Sequence, residues 1–200
     1  MTEVDKAKAE AHAPQDVFKK KYNLISPTDS LLSTKLERFD LNNPPVDPIE
    51  LGSDMIKHMR HFNGIGLSAN QLGLPYRVFV MEGEPAFVCY NPTITAVSGD
   101  PVLLDEGCLS FPGLYVKKKR PPLIRVRFQD PYGNPCVKRF SGMTARIFLH
   151  EQEHMDGENF LEGLSQFELG RAKERQRKLL RKVKRQSEGR SKHGSGVRRR

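Results

Sequence analysis

An α+β fold is predicted, with mostly antiparallel β-sheets around a central metal-binding helix and a basic helix toward the C-terminus. Three observations carry this expectation. Apolar residues recur at helical spacing over residues 47–62, and a second helical segment at 143–156 holds two histidines four apart. Between them, residues 76–140 break into short β-prone runs separated by Pro and Gly, and a charged segment with a thin apolar stripe follows from 165. A chain of 200 residues can bury one sizeable core, so a single domain over 26–186 is expected. An arm over 1–25 should be mobile, and a basic tail over 187–200, without apolar periodicity, should be disordered.

The first helix opens at Asp47, a plausible N-cap, with Pro48 at the first helical position and Glu50 at the third. Met55, Ile56, Met59 and Phe62 give it one buried face, and Asn63 and Gly64 should stop it. Strands are expected at 77–81, 86–90, 123–129 and 136–140. The last two flank Asp130-Pro131-Tyr132-Gly133-Asn134, whose turn chemistry reads as a hairpin loop. The second helix should end at Gly157, since glycine is favoured at the position just past a helix. The third opens with the capping box Ser165-Gln166-Phe167-Glu168 and could run to about Gln186.

Charge is distributed unevenly. Residues 165–200 carry 14 of the 33 Lys/Arg but only 3 of the 24 Asp/Glu, leaving the remainder close to neutral. A basic segment of this kind is the electrostatic footprint of a nucleic-acid or ribosome contact, with a solvated helix as the plainer alternative. No run of 18 apolar residues is present, the first twenty residues lack the apolar core of a secretory signal, and the first arginine is Arg38. The three cysteines, Cys89, Cys108 and Cys136, are an odd number and argue for a reducing compartment. A cytoplasmic protein is expected, with an organellar matrix or the cytoplasm of a virus-infected host as alternatives.

The strongest chemical signal is His150-Glu151-Gln152-Glu153-His154 within the second helix. Histidines four apart lie on one face a single turn from each other, so both can offer a ring nitrogen to one cation, while Glu151 sits close enough to act on water there. Ile147, Phe148 and Leu149 precede the motif, and buried imidazoles need partners. A catalytic site of this type needs a third ligand. One protease pattern would put a histidine where Phe160 stands; another would use a downstream glutamate, for which Glu174 is at an allowed distance, though in a strongly charged run. The upstream candidate is Cys108, in Glu106-Gly107-Cys108-Leu109-Ser110, whose plainer reading is a small buried hydrophobe.

Three segments in this order, Gly64-Ile65-Gly66-Leu67-Ser68-Ala69-Asn70-Gln71, then Glu106-Gly107-Cys108-Leu109-Ser110, then His150-Glu151-Gln152-Glu153-His154-Met155-Asp156-Gly157, resemble the signature motifs of the peptide deformylase family. The likeness spans about residues 26–186. Departures fall at Ser68, Leu149, Glu153 and Met155, where the family usually has Ala, Gln, Asp and Leu; none removes a ligand or the catalytic acid, although Leu149 and Glu153 alter the surroundings of the site.

The resemblance implies a metal-dependent hydrolase that removes the formyl group from the N-terminal formyl-methionine of nascent polypeptides. It implies that Cys108, His150 and His154 hold one divalent metal, Fe2+ by family habit, with Zn2+, Ni2+ or Co2+ able to replace it. Glu151 would be general base and then acid, with Gln71 and the backbone N–H of Leu109 as donors to the oxyanion. Gly64, Ile65, Gly66, Glu106 and Gly107 would line the substrate cleft. Met143, Ile147 and the stem of Arg146 would join Ile65 in a methionine pocket. Formyl-methionyl nascent peptides and ribosomal RNA near the exit tunnel are the expected partners.

Overall fold

The protein is seen in a computed structural model that describes residues 22–193. The helices are α1 (Pro48–His61), α2 (Gly142–Asp156) and α3 (Gln166–His193). The strands are β1 (Gly66–Ser68), β2 (Val78–Met81), β3 (Phe87–Ser98), β4 (Val102–Gly107), β5 (Tyr115–Arg120), β6 (Leu123–Gln129) and β7 (Pro135–Ser141). β1, β2, β3, β6 and β7 form one sheet in that order, every neighbour antiparallel, and β4 pairs with β5 in a separate ribbon. The predicted α+β class holds.

Helix α1 starts where its cap chemistry places it. The Asp47 carboxylate accepts the Glu50 N–H at 2.7 Å, and Pro48 occupies a first-turn position where no donor is needed. At the other end Asn63, not Gly64, takes the left-handed conformation, with φ 54°. Gly64 N–H then closes on Met59 O at 2.8 Å. Helix α2 ends in left-handed Gly157, where a side chain would also collide with the backbone of Ser33 and Thr34, so only glycine serves there.

The pleat of β2 divides its side chains between two cores. Val78 and Val80 join Leu51, Met55 and Met59 of α1, while Phe79 and Met81 join Ala145, Phe148, Leu149 and Met155 of α2. The sheet is therefore sandwiched, α1 on one face and α2 on the other. Phe79 and Phe148 meet edge to face at 4.9 Å and are fully buried, worth roughly 1.5–3 kcal/mol each in burial. Ile124, Val126 and Phe128 of β6 extend the α2 side, alternating with outward Arg125 and Arg127. The β6–β7 hairpin turns on Asp130, whose carboxylate accepts the N–H groups of Tyr132 and Asn134, both at 2.9 Å.

Two expectations are corrected, and one element is new. The boundary at 25 is too late: Tyr22 and Leu24 pack against the α1 core, and Ile25 N–H donates to Gln71 O at 2.9 Å, because this stretch is apolar enough to be held. The remainder of the expected arm, residues 1–21, lies outside the described residues. Helix α3 continues past Gln186 to His193, where no proline interrupts it, and residues 194–200 also lie outside the described set. The β4–β5 ribbon went unpredicted. Its sequences VLLDEG and YVKKKR lack clean apolar alternation, and buried ion pairs of Glu106 with Arg146 and of Arg120 with Glu153 tie it to α2, while Val116 alone of its side chains joins an apolar cluster with Phe160 and Ala172.

Candidate metal centre

His150 and His154 lie one turn apart on the same face of α2, with ring centroids 5.1 Å apart. Cys108 directly follows β4. It reaches the histidines because Arg146, also on α2, clamps the ribbon: its guanidinium donates to Lys118 O, to Val102 O and to the Glu106 carboxylate. The ligand atoms of Cys108, His150 and His154 all fall within 4.8 Å of one another, and Cys108 Sγ stands 3.3 Å from His154 Nε2. A tetrahedral ion bound by thiolate and imidazole needs sulfur and nitrogen about 3.6 Å apart, so the donor set fits a transition metal.

The other candidate third ligands are elsewhere. Glu174 is exposed on α3 and pairs with Lys178 at 2.8 Å. Phe160 packs edge-on against the His150 ring at 5.6 Å, walling the site with carbon instead of coordinating.

Glu106 sets the orientation of His150. Its carboxylate accepts from Arg120 Nε at 2.9 Å and Nη2 at 2.8 Å, and from Arg146, while Oε2 faces His150 Nδ1 at 3.4 Å. Engaging Nδ1 leaves Nε2 for the Cys108 side. Although burial opposes it, Arg120 and His150 hold the Glu106 carboxyl well below the usual carboxylate range. Glu153, the departure on the far side of Arg120, accepts from Arg120 Nη2 at 2.9 Å and from Lys118 at 3.2 Å. Its extra methylene lets one carboxylate meet both cations. Leu149, the other departure, is an apolar member of the α2 core.

Burial pulls His154 down to about 3, with the neighbouring His150 and Lys118 charges adding to it, so the neutral imidazole, which can offer a lone pair, is favoured. For His150, burial pulls the same way, but hydrogen bonds to Cys108 and Glu106 and the Glu151 charge outweigh it and raise it to about 10. The negative surroundings that would stabilise a proton there equally favour a dication.

Glu151 is buried, and burial pushes its carboxyl up to about 7. Its Oε2 has no hydrogen-bond partner among the described residues, an arrangement rare for structural carboxylates and expected for one that handles a proton. Gly66 makes room for it, since a Cβ there would overlap Glu151 Oε1 and lie 2.9 Å from Ile147 Cγ2. Gln71 is held by its oxygen, which accepts Ser68 N–H at 2.9 Å and Ser68 Oγ at 3.1 Å. Its Nε2 is thereby turned toward Ser110 Oγ at 3.0 Å and Cys108 Sγ at 3.4 Å. The hydroxyl of Ser68, where an alanine is usual, thus adds a second hold on Gln71.

These groups open on a cleft of about 610 Å3. Gly64, Ile65, Gly66, Glu106, Gly107, Leu109, Met143, Arg146 and Ile147 all line it, together with Gln71, Cys108, His150 and Glu151. Ile65 and Met143 stand half exposed at its mouth. Leu24, Phe62, Tyr115 and the 111–114 loop line it too and were not anticipated. Tyr115 and the loop come with the unpredicted ribbon, and Leu24 was assigned to the arm; the apolar run around Leu24 was the only sequence signal for any of them. Removing the Glu106 charge should cost metal before it costs fold: Glu106→Gln is expected to weaken metal affinity about 10- to 100-fold in competition with a chelator. Unchanged affinity would mean that Arg120 and Arg146, not His150, are the partners that matter.

A family model described as polypeptide deformylase matches residues 22–169. A peptide deformylase from Synechocystis is 35% identical over 119 residues, covering 56% of this chain and 64% of the relative, so the match spans under two thirds of that relative's length. Among solved structures, a Synechococcus elongatus peptide deformylase in complex with actinonin superposes with a TM-score of 0.71 at 30% identity, covering 78% of this chain and 86% of that one. A plant peptide deformylase gives 0.72 at 31% identity, covering 84% and 93%.

Proposed function

Since the chain belongs to the polypeptide deformylase family, we propose that it removes the formyl group from the N-terminal formyl-methionine of newly made polypeptides and releases formate. One observation carries the reading: a buried Glu151 carboxyl oxygen with no hydrogen-bond partner among the described residues shares one cleft with Cys108 and His150, whose ligand atoms converge with that of His154 behind them. A divalent cation held by those three residues, Fe2+ in the native protein with Zn2+, Ni2+ or Co2+ as substitutes, supplies polarisation of the formyl carbonyl and acidification of water when bound.

The chain's own groups do the rest. Glu151 takes the proton of the attacking water and returns it to the departing amine, a task suited to a carboxyl pushed up to about 7. Gln71 Nε2, fixed by Ser68, and the Leu109 N–H are the donors for the oxygen that gains charge. Strand β1 is an edge of its sheet, so its open side can receive a peptide as an added strand along Gly64, Ile65 and Gly66. Recognition through backbone makes the enzyme tolerant beyond the first residue. Ile65, Met143, Ile147 and the Arg146 stem form the methionine pocket; because the Arg146 head is spent on Glu106 and the ribbon, only its aliphatic part faces substrate.

Among the described residues no helix is long and apolar enough to cross a membrane, and a cytoplasmic site of action at the ribosome follows from this reading. The basic face of α3 is the ribosome contact. Deleting residues 165–200 should weaken ribosome binding, and binding of the full chain should fall steeply with salt as phosphate counterions are released. Salt-independent binding, or binding that survives the deletion, removes the assignment. The catalytic reading is tested by formate release from a formyl-methionyl tripeptide with metal content measured alongside; a metal-loaded protein that releases none defeats it.

A further inference from the structure

We propose that Gln176 of α3 is a positioning residue that holds the 111–114 wall of the cleft in place, so that the basic helix tunes substrate affinity without touching substrate. The inference rests on the deformylase reading above. Gln176 Nε2 donates to Pro112 O at 2.7 Å. Directly beyond that carbonyl, the wall passes under the helix: a Cβ built on Gly113 would sit 3.5 Å from Leu179 Cδ2 and 3.7 Å from Leu180 Cδ2. The helix therefore holds the loop from one side by a hydrogen bond, with Leu179 and Leu180 lying over Gly113.

The other side of the loop is the cleft, which Phe111, Pro112, Gly113 and Leu114 all line. Two successive turns connect the gripped segment to the metal ligand, with Phe111 N–H on Cys108 O at 2.9 Å and Leu114 N–H on Phe111 O at 3.0 Å. Packing continues the same path, since Cys108, Leu114, Val116, Phe160 and Ala172 of α3 form one apolar cluster. Pro112 is exposed, and among the described residues the Gln176 amide is what reaches its carbonyl. Cys108, anchored by the cluster and by α2, does not depend on Gln176. Loosening the grip should therefore move the wall and spare the chemistry.

Gln176→Glu is nearly isosteric but replaces the donor by an acceptor facing the Pro112 carbonyl. It should raise KM for a formyl-methionyl tripeptide about three- to tenfold, with kcat within about twofold of the wild type and metal content unchanged. The Phe111 and Leu114 amides should exchange with deuterium faster by a similar factor. Gln176→Lys, which restores a donor, should bring both readouts back toward wild type. Unchanged KM and exchange in Gln176→Glu, a lysine variant as defective as the glutamate one, or a parallel fall of kcat and metal content would each overturn the proposal. A wild-type protein that releases no formate would instead defeat the deformylase reading, while amide exchange still decides whether Gln176 holds the wall.

Discussion

Cys108→Ala is expected to lose the metal. The variant should fold, since the change leaves its neighbours Leu114, Val116, Phe160 and Ala172 in place. Yet two imidazoles alone cannot retain the ion against dialysis. The loss of affinity should exceed the roughly 100-fold that removing an outer partner costs, because a direct donor is gone. Formate release should fall with occupancy. Cys89→Ala is the matched control: Cys89 is fully buried in the α2 core, away from the histidines, and its loss should leave metal content at one per chain. The decisive comparison is with Glu174→Ala. Metal retained in Cys108→Ala but lost in Glu174→Ala would give the site a protease-like donor set and sink the present assignment.

Glu151→Gln should separate binding from catalysis. Glutamine keeps the shape beside Gly66 and Ile147 and removes only the proton-accepting oxygen. Formate release should drop about 10²- to 10⁴-fold, the usual worth of a positioned acid–base group, with full metal content and little change in KM. Tm should not fall, because the buried Glu151 oxygen has no hydrogen-bond partner among the described residues to lose. A variant that keeps more than about a tenth of wild-type kcat would show that proton transfer lies elsewhere, given the size of effect expected.

Much of this site was legible because its signals are local. His150 and His154 announce themselves by helical spacing, and Asp47 and Ser165 by their caps, the latter realised as Glu168 N–H on Ser165 Oγ at 3.2 Å and Ser165 Oγ on Glu168 at 2.7 Å. Cys108 was a ligand candidate that its own residues left open against a small buried hydrophobe, and motif order tipped the balance. The geometry that supports it depends on partners far apart in sequence: Arg146 bridges α2 to Val102 and Lys118, and Arg120 spans Glu106 and Glu153. Charged residues in a strand read as solvent-facing, and nothing local reveals that Lys118 and Arg120 of β5 turn inward. For the same reason the β4–β5 ribbon, and with it Tyr115 in the cleft, escaped a reading founded on apolar alternation.

The four residues of β2 serve both interiors by turns, Val78 and Val80 toward one helix, Phe79 and Met81 toward the other. A frame slipped by a single position would force a phenylalanine and a methionine into the interior shaped for two slender valines and leave the other interior with only the valines, overfilling one and hollowing the other. An insertion should therefore be tolerated at a surface loop such as the 130–134 bend but not along this strand, which must keep its frame against the helix that carries His150 and His154.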